Sequence, residues 1–306
     1  MTSFSEEKLI IDGEGIILSN KDDIRITPHV NTSIHQAKSK QDFYYTVSNN
    51  DGELMIICDG HGSDEVINRI RNFNFSMYTK KIKNLNPISI IKDLQNITNT
   101  PDTLGIKNGS RSSGSTISIV IATDKKIKIS WLGDSVVSVF KNEELFYQTK
   151  EHNYNEDSES VDGKRIIPDY ACQITEDGNM TQMPKPYIDH GYPDPKSFDI
   201  CAVTRALGHG NKTCNKPDYQ ELTIDNENKW KIILASDGLH DVLGATPSDK
   251  QLLVNKNAKE LCDIAIHRWS SSYKWNFIPI DYPPFQTQFK DGDGDDIAII
   301  TWNKPN

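Results

Sequence analysis

Cysteine is scarce in this chain. Five of 306 residues are cysteine, at Cys58, Cys172, Cys201, Cys214 and Cys262, and no two form a Cys-x-x-Cys pair. A sparse, odd-numbered set of this kind argues against a disulfide framework or a structural zinc site. It points to a reducing intracellular compartment such as the cytoplasm, where the Asn-x-Ser/Thr triplets starting at Asn31 and Asn96 meet no glycosylation machinery. Long apolar runs are absent too. No stretch of about 18 apolar residues occurs, so no membrane-spanning helix and no membrane partner are expected. The segment Met1–Lys8 has neither the basic start nor the apolar centre of a signal peptide. Positive charge is also short. The net charge is −9, which disfavours nucleic acid as a partner, because a phosphate backbone wants a basic face. No internal repeat or low-complexity tract appears.

What is present is a soluble, globular composition, 36% apolar and 25% charged. Residues 1–30 hold short apolar stretches, Leu9-Ile10-Ile11 and Gly15–Leu18, which read as an N-terminal extension or opening strands. Asp42–Val47 reads as a strand from its aromatic and β-branched content. Asn49-Asn50-Asp51-Gly52 is a turn signal, and Leu54–Cys58 is a continuous apolar run suited to a buried strand. The pair predicts a hairpin ending in an Asp59-Gly60-His61-Gly62 turn. Ser63-Asp64-Glu65 offers a helix start, with helical spacing to about Tyr78. Residues 87–98 predict a second helix opened by Pro87. Ser115–Ala122, Lys126–Leu132, Val136–Phe140 and Leu145–Gln148 read as an antiparallel meander. Residues 150–200 are polar and carry Pro184, Pro186, Pro193 and Pro195, so they predict a flap or insertion with little sheet. Trp230–Ala235 and Ile297–Trp302 read as strands, and 257–269 as a helix. Strands at both ends without βαβ alternation indicate an α+β fold with antiparallel sheets. A single domain over 1–306 and a monomer are expected.

Aspartates recur at the margins of the apolar strands. Asp59 follows Cys58, Asp237 follows Ala235-Ser236, and Asp295-Asp296 precede Ile297. Buried carboxylates are costly unless paired or metal-bound, and an all-oxygen ligand set favours magnesium or manganese over zinc or copper. Each signal has a plainer alternative. Asp59-Gly60 alone is an ordinary turn, Asp237 alone a helix cap, and His61 alone a turn histidine. Asp291–Asp296 resembles the start of a calcium loop. It fails at the sixth position, where Asp296 replaces Gly, and at the twelfth, where Trp302 replaces Glu.

Taken in order, the motifs resemble the type 2C, metal-dependent family of protein serine/threonine phosphatases over residues 30 to 302. They are Ile57-Cys58-Asp59-Gly60-His61-Gly62, Ser113-Gly114-Ser115-Thr116, Leu132-Gly133-Asp134-Ser135, Glu151-His152-Asn153, Val203-Thr204-Arg205-Ala206-Leu207-Gly208, Leu234–Leu243 and Asp295-Asp296-Ile297-Ala298. The resemblance implies a four-layer α-β-β-α sandwich with two central antiparallel sheets and metals at one end. It implies two Mg²⁺ or Mn²⁺ ions, with Asp59 bridging, Asp237 and Asp295 completing one shell, and the Gly60 carbonyl helping to hold the other ion. Asp134 and Asp241 match a third, weaker metal position. Two close cations lower the pKa of a bridging water, and the resulting hydroxide attacks phosphorus. His61 resembles the general acid for the leaving alkoxide. Phosphorylated proteins are the implied substrates. No Cys-x5-Arg signature supports a cysteine nucleophile instead.

The chain also departs from the family pattern. Lys40-Gln41-Asp42 stands where an acidic pair contributes to the second metal, with Asp42 acting through water and Gln41 a weak substitute. No arginine lies in Asn31–Asp42, so Lys38 or Lys40, or Arg25 upstream, is left to grip phosphate, and a lysine lacks bidentate geometry. His209 replaces an Asp, His240 a Trp, and Asp296 an Asn, adding negative charge beside the ligand Asp295. These departures leave a second reading open: a phosphatase-like module that binds phosphoproteins with weak or no turnover.

Overall fold

The computed structural model describes residues 8–12, 15–19, 29–37, 39–105, 112–158, 164–167, 170–174, 180–184, 186–189, 200–244, 246–277, 285–288 and 294–305. β1 (Lys8–Asp12) and β2 (Gly15–Ser19) form a hairpin. β3 (Val30–His35), β4 (Asp42–Asn49) and β5 (Gly52–Gly62) follow, and the Asn50-Asp51 turn joins the last two. After α1 (Glu65–Arg71) and α2 (Pro87–Thr98) come β6 (Ser113–Ser115), β7 (Ile117–Ala122), β8 (Lys126–Leu132), β9 (Val136–Lys141) and β10 (Glu144–Gln148). The flap region holds β11 (Arg165–Ile167), β12 (Tyr170–Ile174), β13 (Met180–Pro184), β14 (Tyr187–Asp189) and β15 (Ile200–Cys201). The rest is β16 (Leu207–Gly208), β17 (Asp218–Thr223), β18 (Trp230–Ala235), α3 (Asp237–His240), α4 (Pro247–Asn255), α5 (Ala258–Ser272), β19 (Tyr273–Phe277), β20 (Phe285–Gln288) and β21 (Ile297–Asn303).

Two sheets carry the molecule. One runs β1-β2-β4-β5-β7-β8-β17, with β6 and β16 at its rim; the other runs β10-β9-β18-β21-β3. The pairing is antiparallel except between β2 and β4. Strand alternation sorts the side chains into layers. Met55 and Ile57 of β5 face Ile232, Leu234, Ala298 and Ile300 of the second sheet. Leu54, Ile56 and Cys58 point the other way, onto α1 and α2 through Val66, Ile67, Ile70, Ile91 and Leu94. Ile233, Ala235, Ile297 and Ile299 likewise face Leu261, Ala265 and Trp269 of α5. The apolar run Leu54–Cys58 is unbroken because both of its faces are covered. The result is the expected four-layer α-β-β-α sandwich, with β21 returning to pair with β3.

Several local expectations need correction. The Asp59–Gly62 segment is not a turn but the extended end of β5, paired with β6. The helix after it stops at Arg71. Asn74 then accepts the Ser76 N–H and starts a separate 3₁₀ turn, Phe75–Tyr78, which leaves Met77 exposed. Ser115–Ala122 is interrupted at Thr116, whose hydroxyl accepts the Asp59 N–H in place of a ladder carbonyl. The meander is really two hairpins in different sheets: β8 belongs to the first and β9 to the second. The chain crosses between them at Gly133, whose φ of 101° suits glycine. The flap contains more sheet than its prolines suggest. β12 pairs with β13 and β19, and β11 with β14. Pro184 is tolerated because it ends β13, an edge strand. Helix α2 has the predicted bounds, and Asn86 caps it by accepting the Ile88 N–H. No helix among the described residues is long and apolar enough to cross a membrane.

Candidate metal centre

The register of β4 and β5 sets Asp42 opposite Asp59. Gly60 donates to the Gln41 carbonyl at 3.0 Å, and a side chain there would press against Gln41 and Ile67. Asp134 enters from the Gly133 crossover. Asp237 enters at the start of α3, directly after β18. The carboxylate oxygens of Asp59, Asp134 and Asp237 all lie within 4.8 Å of one another. Asp295, just before β21, acts electrostatically on Asp59. Its side chain also accepts the Asp296 N–H at 2.9 Å. Asp241 sits at the end of α3, where its N–H donates to the Asp237 carbonyl at 2.8 Å. Two contacts fix the α3 turn. Trp269 Nε1 donates to the Gly238 carbonyl at 2.7 Å, and Gly238 packs against the Asp296 carbonyl with no room for a side chain.

The electrostatics of this corner call for a cation. Burial raises the Asp59 carboxyl well above its ordinary range, and Asp237, Asp42, Asp295 and Asp134 add to it. Asp42 is raised in the same way, first by burial and then by Asp296, against a hydrogen bond from Ser236 and a smaller contribution from Asp59. The Ser236 bond, Oγ to Asp42 Oδ2, spans 2.7 Å, whereas Asp42 Oδ1 is buried with no hydrogen-bond partner among the described residues. Like charges pressed together out of water resist ionising. A divalent ion with oxygen ligands reverses this, and the donor set suits magnesium or manganese. Asp42 stands opposite Asp59 in the strand register and acts electrostatically on it.

The neighbouring residues have other tasks. Asp296 adds its negative charge to this corner, where it raises the Asp42 carboxyl, and it has a second task as well. It accepts from Ala37 N at 2.5 Å, Gln41 N at 2.6 Å and Ser39 Oγ, and so folds the 37–41 segment onto the sheet. Gln41 donates from its side-chain Nε2 to Gly62 O at 3.3 Å and to Asp64 Oδ1 at 2.6 Å. Lys38 and Arg25 lie outside the described residues, as does Asp291–Asp293. Lys40 is exposed. Arg71 donates to the Lys40 and Asp42 carbonyls, and Arg205 makes a bidentate pair with Asp157.

His61 leans on a residue that sequence reasoning placed only as a departure. Its Nε2 lies 2.7 Å from His209 Nε2, with the rings stacked at 4.8 Å. Two imidazole nitrogens at this distance share one proton. His209 Nδ1 in turn meets Ser112 Oγ at 2.8 Å. Gly114 is the signal that was missed, because any side chain there would run into both rings. Burial pulls His61 down to about 4, against the pull of Asp237 and of a hydrogen bond to the Asp59 backbone. His240 is also lowered to about 4 by burial, and its Nε2 has no partner.

A family model described as Protein phosphatase 2C matches residues 30–247. No curated protein sequence matches the chain. Among solved structures, a serine/threonine phosphatase from Staphylococcus aureus aligns with a TM-score of 0.53 at 15% identity. It covers 95% of this chain and 100% of that one. A serine-threonine phosphatase 2C from Toxoplasma gondii also scores 0.53 at 15% identity, covering 92% and 97%. A sex-determining protein from C. elegans scores 0.51 at 16% identity, covering 90% of this chain but only 65% of the other. At these identities the solved structures speak for the fold.

Proposed function

From the premise that this chain belongs to the protein phosphatase 2C family, we propose that it hydrolyses phosphoserine and phosphothreonine in proteins at the Asp59 cluster. The proposal rests on one observation: the Asp59, Asp134 and Asp237 carboxylates converge within 4.8 Å, beside a buried Asp42 oxygen that lacks a hydrogen-bond partner among the described residues. Asp59, Asp237, Asp295 and the Gly60 carbonyl would hold two Mg²⁺ or Mn²⁺ ions, Asp134 and Asp241 would contribute to a third, weaker position, and Asp42 would support the set. When bound, such ions supply Lewis acidity that activates water and neutralises phosphoryl oxygens.

The protein's own groups do the rest. Strand ends and the short α3 turn fix the carboxylates before substrate arrives, so no reorganisation is needed during reaction. The leaving serine or threonine oxygen needs a proton, and His61 is the group we assign to deliver it. His209 holds that ring in place. Lys38 is retained as the candidate phosphate contact, in a reducing compartment and a monomeric protein.

A phosphothreonine peptide incubated with the purified chain should be hydrolysed with Mn²⁺ and untouched with chelator. Folded, metal-saturated protein without turnover on phosphopeptide or p-nitrophenyl phosphate would overturn the proposal. That result would favour the second reading, a phosphoprotein-binding module with weak turnover. The bidentate pairing of Arg205 with Asp157 and the bonds from Arg71 to the Lys40 and Asp42 carbonyls favour this second reading, since they draw both guanidinium groups toward structural partners.

A further inference from the structure

The His61–His209 pair has a third neighbour. Cys201, at the end of flap strand β15, brings its sulfur within 4.8 Å of both the His61 and His209 ligand nitrogens. Cys201 and His209 are buried, 6% and 2% exposed, whereas His61 opens partly to solvent. The set is chemically distinct from the aspartate cluster: two imidazoles and a thiol, with no carboxylate. Such ligands select zinc over magnesium or manganese.

The orientation suits a metal. Both histidines direct Nε2 toward the shared centre. Ser112 anchors His209 through Nδ1, and a hydrogen bond to the Asp59 backbone holds His61. Ligating histidines are held in this way, with the other ring nitrogen bonded. Zinc sits at about 2.0–2.1 Å from nitrogen and about 2.3 Å from sulfur. The two nitrogens therefore need to open by about 0.6 Å, and the sulfur to close by at most about 1.3 Å. Three protein ligands leave a fourth position for water on the open side of His61.

We propose that Cys201, His61 and His209 form a zinc site separate from the Asp59 cluster. On binding, the His209 ring shifts to the tautomer protonated at Nδ1, where Ser112 Oγ accepts, so the proton between the two Nε2 atoms is relocated and both rings stay neutral. The Cys201 thiol proton leaves to solvent, and one S–Zn and two N–Zn bonds form. An occupied site takes His61 away from proton delivery and ties the flap to the end of β5. Zinc is then an inhibitor acting through the flap clasp, not by displacing ions from the aspartates.

Cobalt(II) reports on the site without any need for turnover. The full-length chain, with its oxygen site saturated by Mg²⁺, is titrated with Co²⁺ and followed in the near ultraviolet and visible. One equivalent should give a thiolate-to-cobalt charge-transfer band with tetrahedral d–d bands, and Zn²⁺ should bleach both. Cys201→Ser should abolish the charge-transfer band while keeping Mn²⁺-dependent turnover, and should lose at least about ten-fold in sensitivity to Zn²⁺. His209→Ala should weaken Co²⁺ binding by a similar factor, whereas Asp59→Asn should leave the band in place. Absence of the band, its survival in Cys201→Ser, or its loss in Asp59→Asn would each overturn the proposal. An inactive enzyme that still shows the band sinks the phosphatase reading and leaves this one standing.

Discussion

Asp296 and Asp42 are buried in the same corner, and their surroundings treat them in opposite ways. Asp296 is 3% exposed and accepts hydrogen bonds from Ala37, Ser39 and Gln41. Asp42 is fully buried, receives one from Ser236, and keeps an oxygen with no hydrogen-bond partner among the described residues. Both are acids beside a strand end, yet the protein satisfies one and leaves the other in want of positive charge. Burial alone therefore does not identify a metal ligand. A carboxylate supplied with N–H and O–H donors is a structural clamp, whereas one facing other carboxylates is built for an ion that the chain does not itself provide.

Asp59→Asn tests the second kind. With Mn²⁺ present, turnover on phosphothreonine peptide should fall by about a thousand-fold or more, the upper range for losing one electrostatic contact to the transition state. In metal-free protein the same change removes a repelling charge, so urea unfolding should show stability unchanged or raised by about 1 kcal/mol. A loss of stability in the metal-free state would erase the distinction. Asp296→Ala tests the first kind. Deleting an acceptor of several charge-assisted hydrogen bonds should destabilise the protein by about 2–4 kcal/mol, with or without metal. Unchanged stability would show that the 37–41 segment is held by other means.

The difference also explains what was legible in the sequence. The carboxylate corner is made by strand register, and register follows from alternation and turn chemistry. Asp59, Asp237 and Asp295 were visible because each stands at the margin of an apolar run. The strand pattern indicated an α+β fold with antiparallel sheets, whereas the four-layer arrangement was implied by the family resemblance. The clamp was not legible, because Asp296 acts on backbone N–H groups some 260 positions earlier, and no local pattern announces such a bond. The His61–His209 contact was hidden in the same way: it links residues 148 positions apart. Only Gly114, which neither a turn nor a helix end required, hinted at it. Conversely, the composition of Asp59–Gly62 suits a turn, although its glycines serve close packing against Gln41 and Ser112.

The histidine side of the site gives smaller effects. His61→Gln should slow phosphothreonine peptide hydrolysis by about a hundred-fold, the lower end for general acid catalysis. It should slow p-nitrophenyl phosphate hydrolysis far less, because p-nitrophenolate leaves without a proton. Equal losses on both substrates would remove His61 from proton delivery.

The smallest effect concerns His152, at the base of the flap. Its Nδ1 accepts the Gly133 N–H at 3.1 Å, and its Nε2 lies 3.2 Å from Asp218. Burial, then the Arg205 charge, lowers its pKa below the ordinary histidine value. The unfolded chain therefore takes up a proton near pH 6.5 that the folded chain refuses. This contribution to stability is present above about pH 6.5 and is lost as pH falls toward the folded value. The melting temperature should drop between pH 7.5 and 5.5, and His152→Gln should flatten that slope. An unchanged slope would assign the acid sensitivity to other groups.

Manganese binding followed by electron paramagnetic resonance tests the carboxylate corner most directly, because free and bound Mn²⁺ give separable signals and no substrate is needed. Two tight equivalents should bind to the wild-type chain, and Asp59→Asn should lose them. A folded wild-type protein that leaves Mn²⁺ free, or an Asp59→Asn variant that binds it as tightly, would contradict a metal centre built on Asp59.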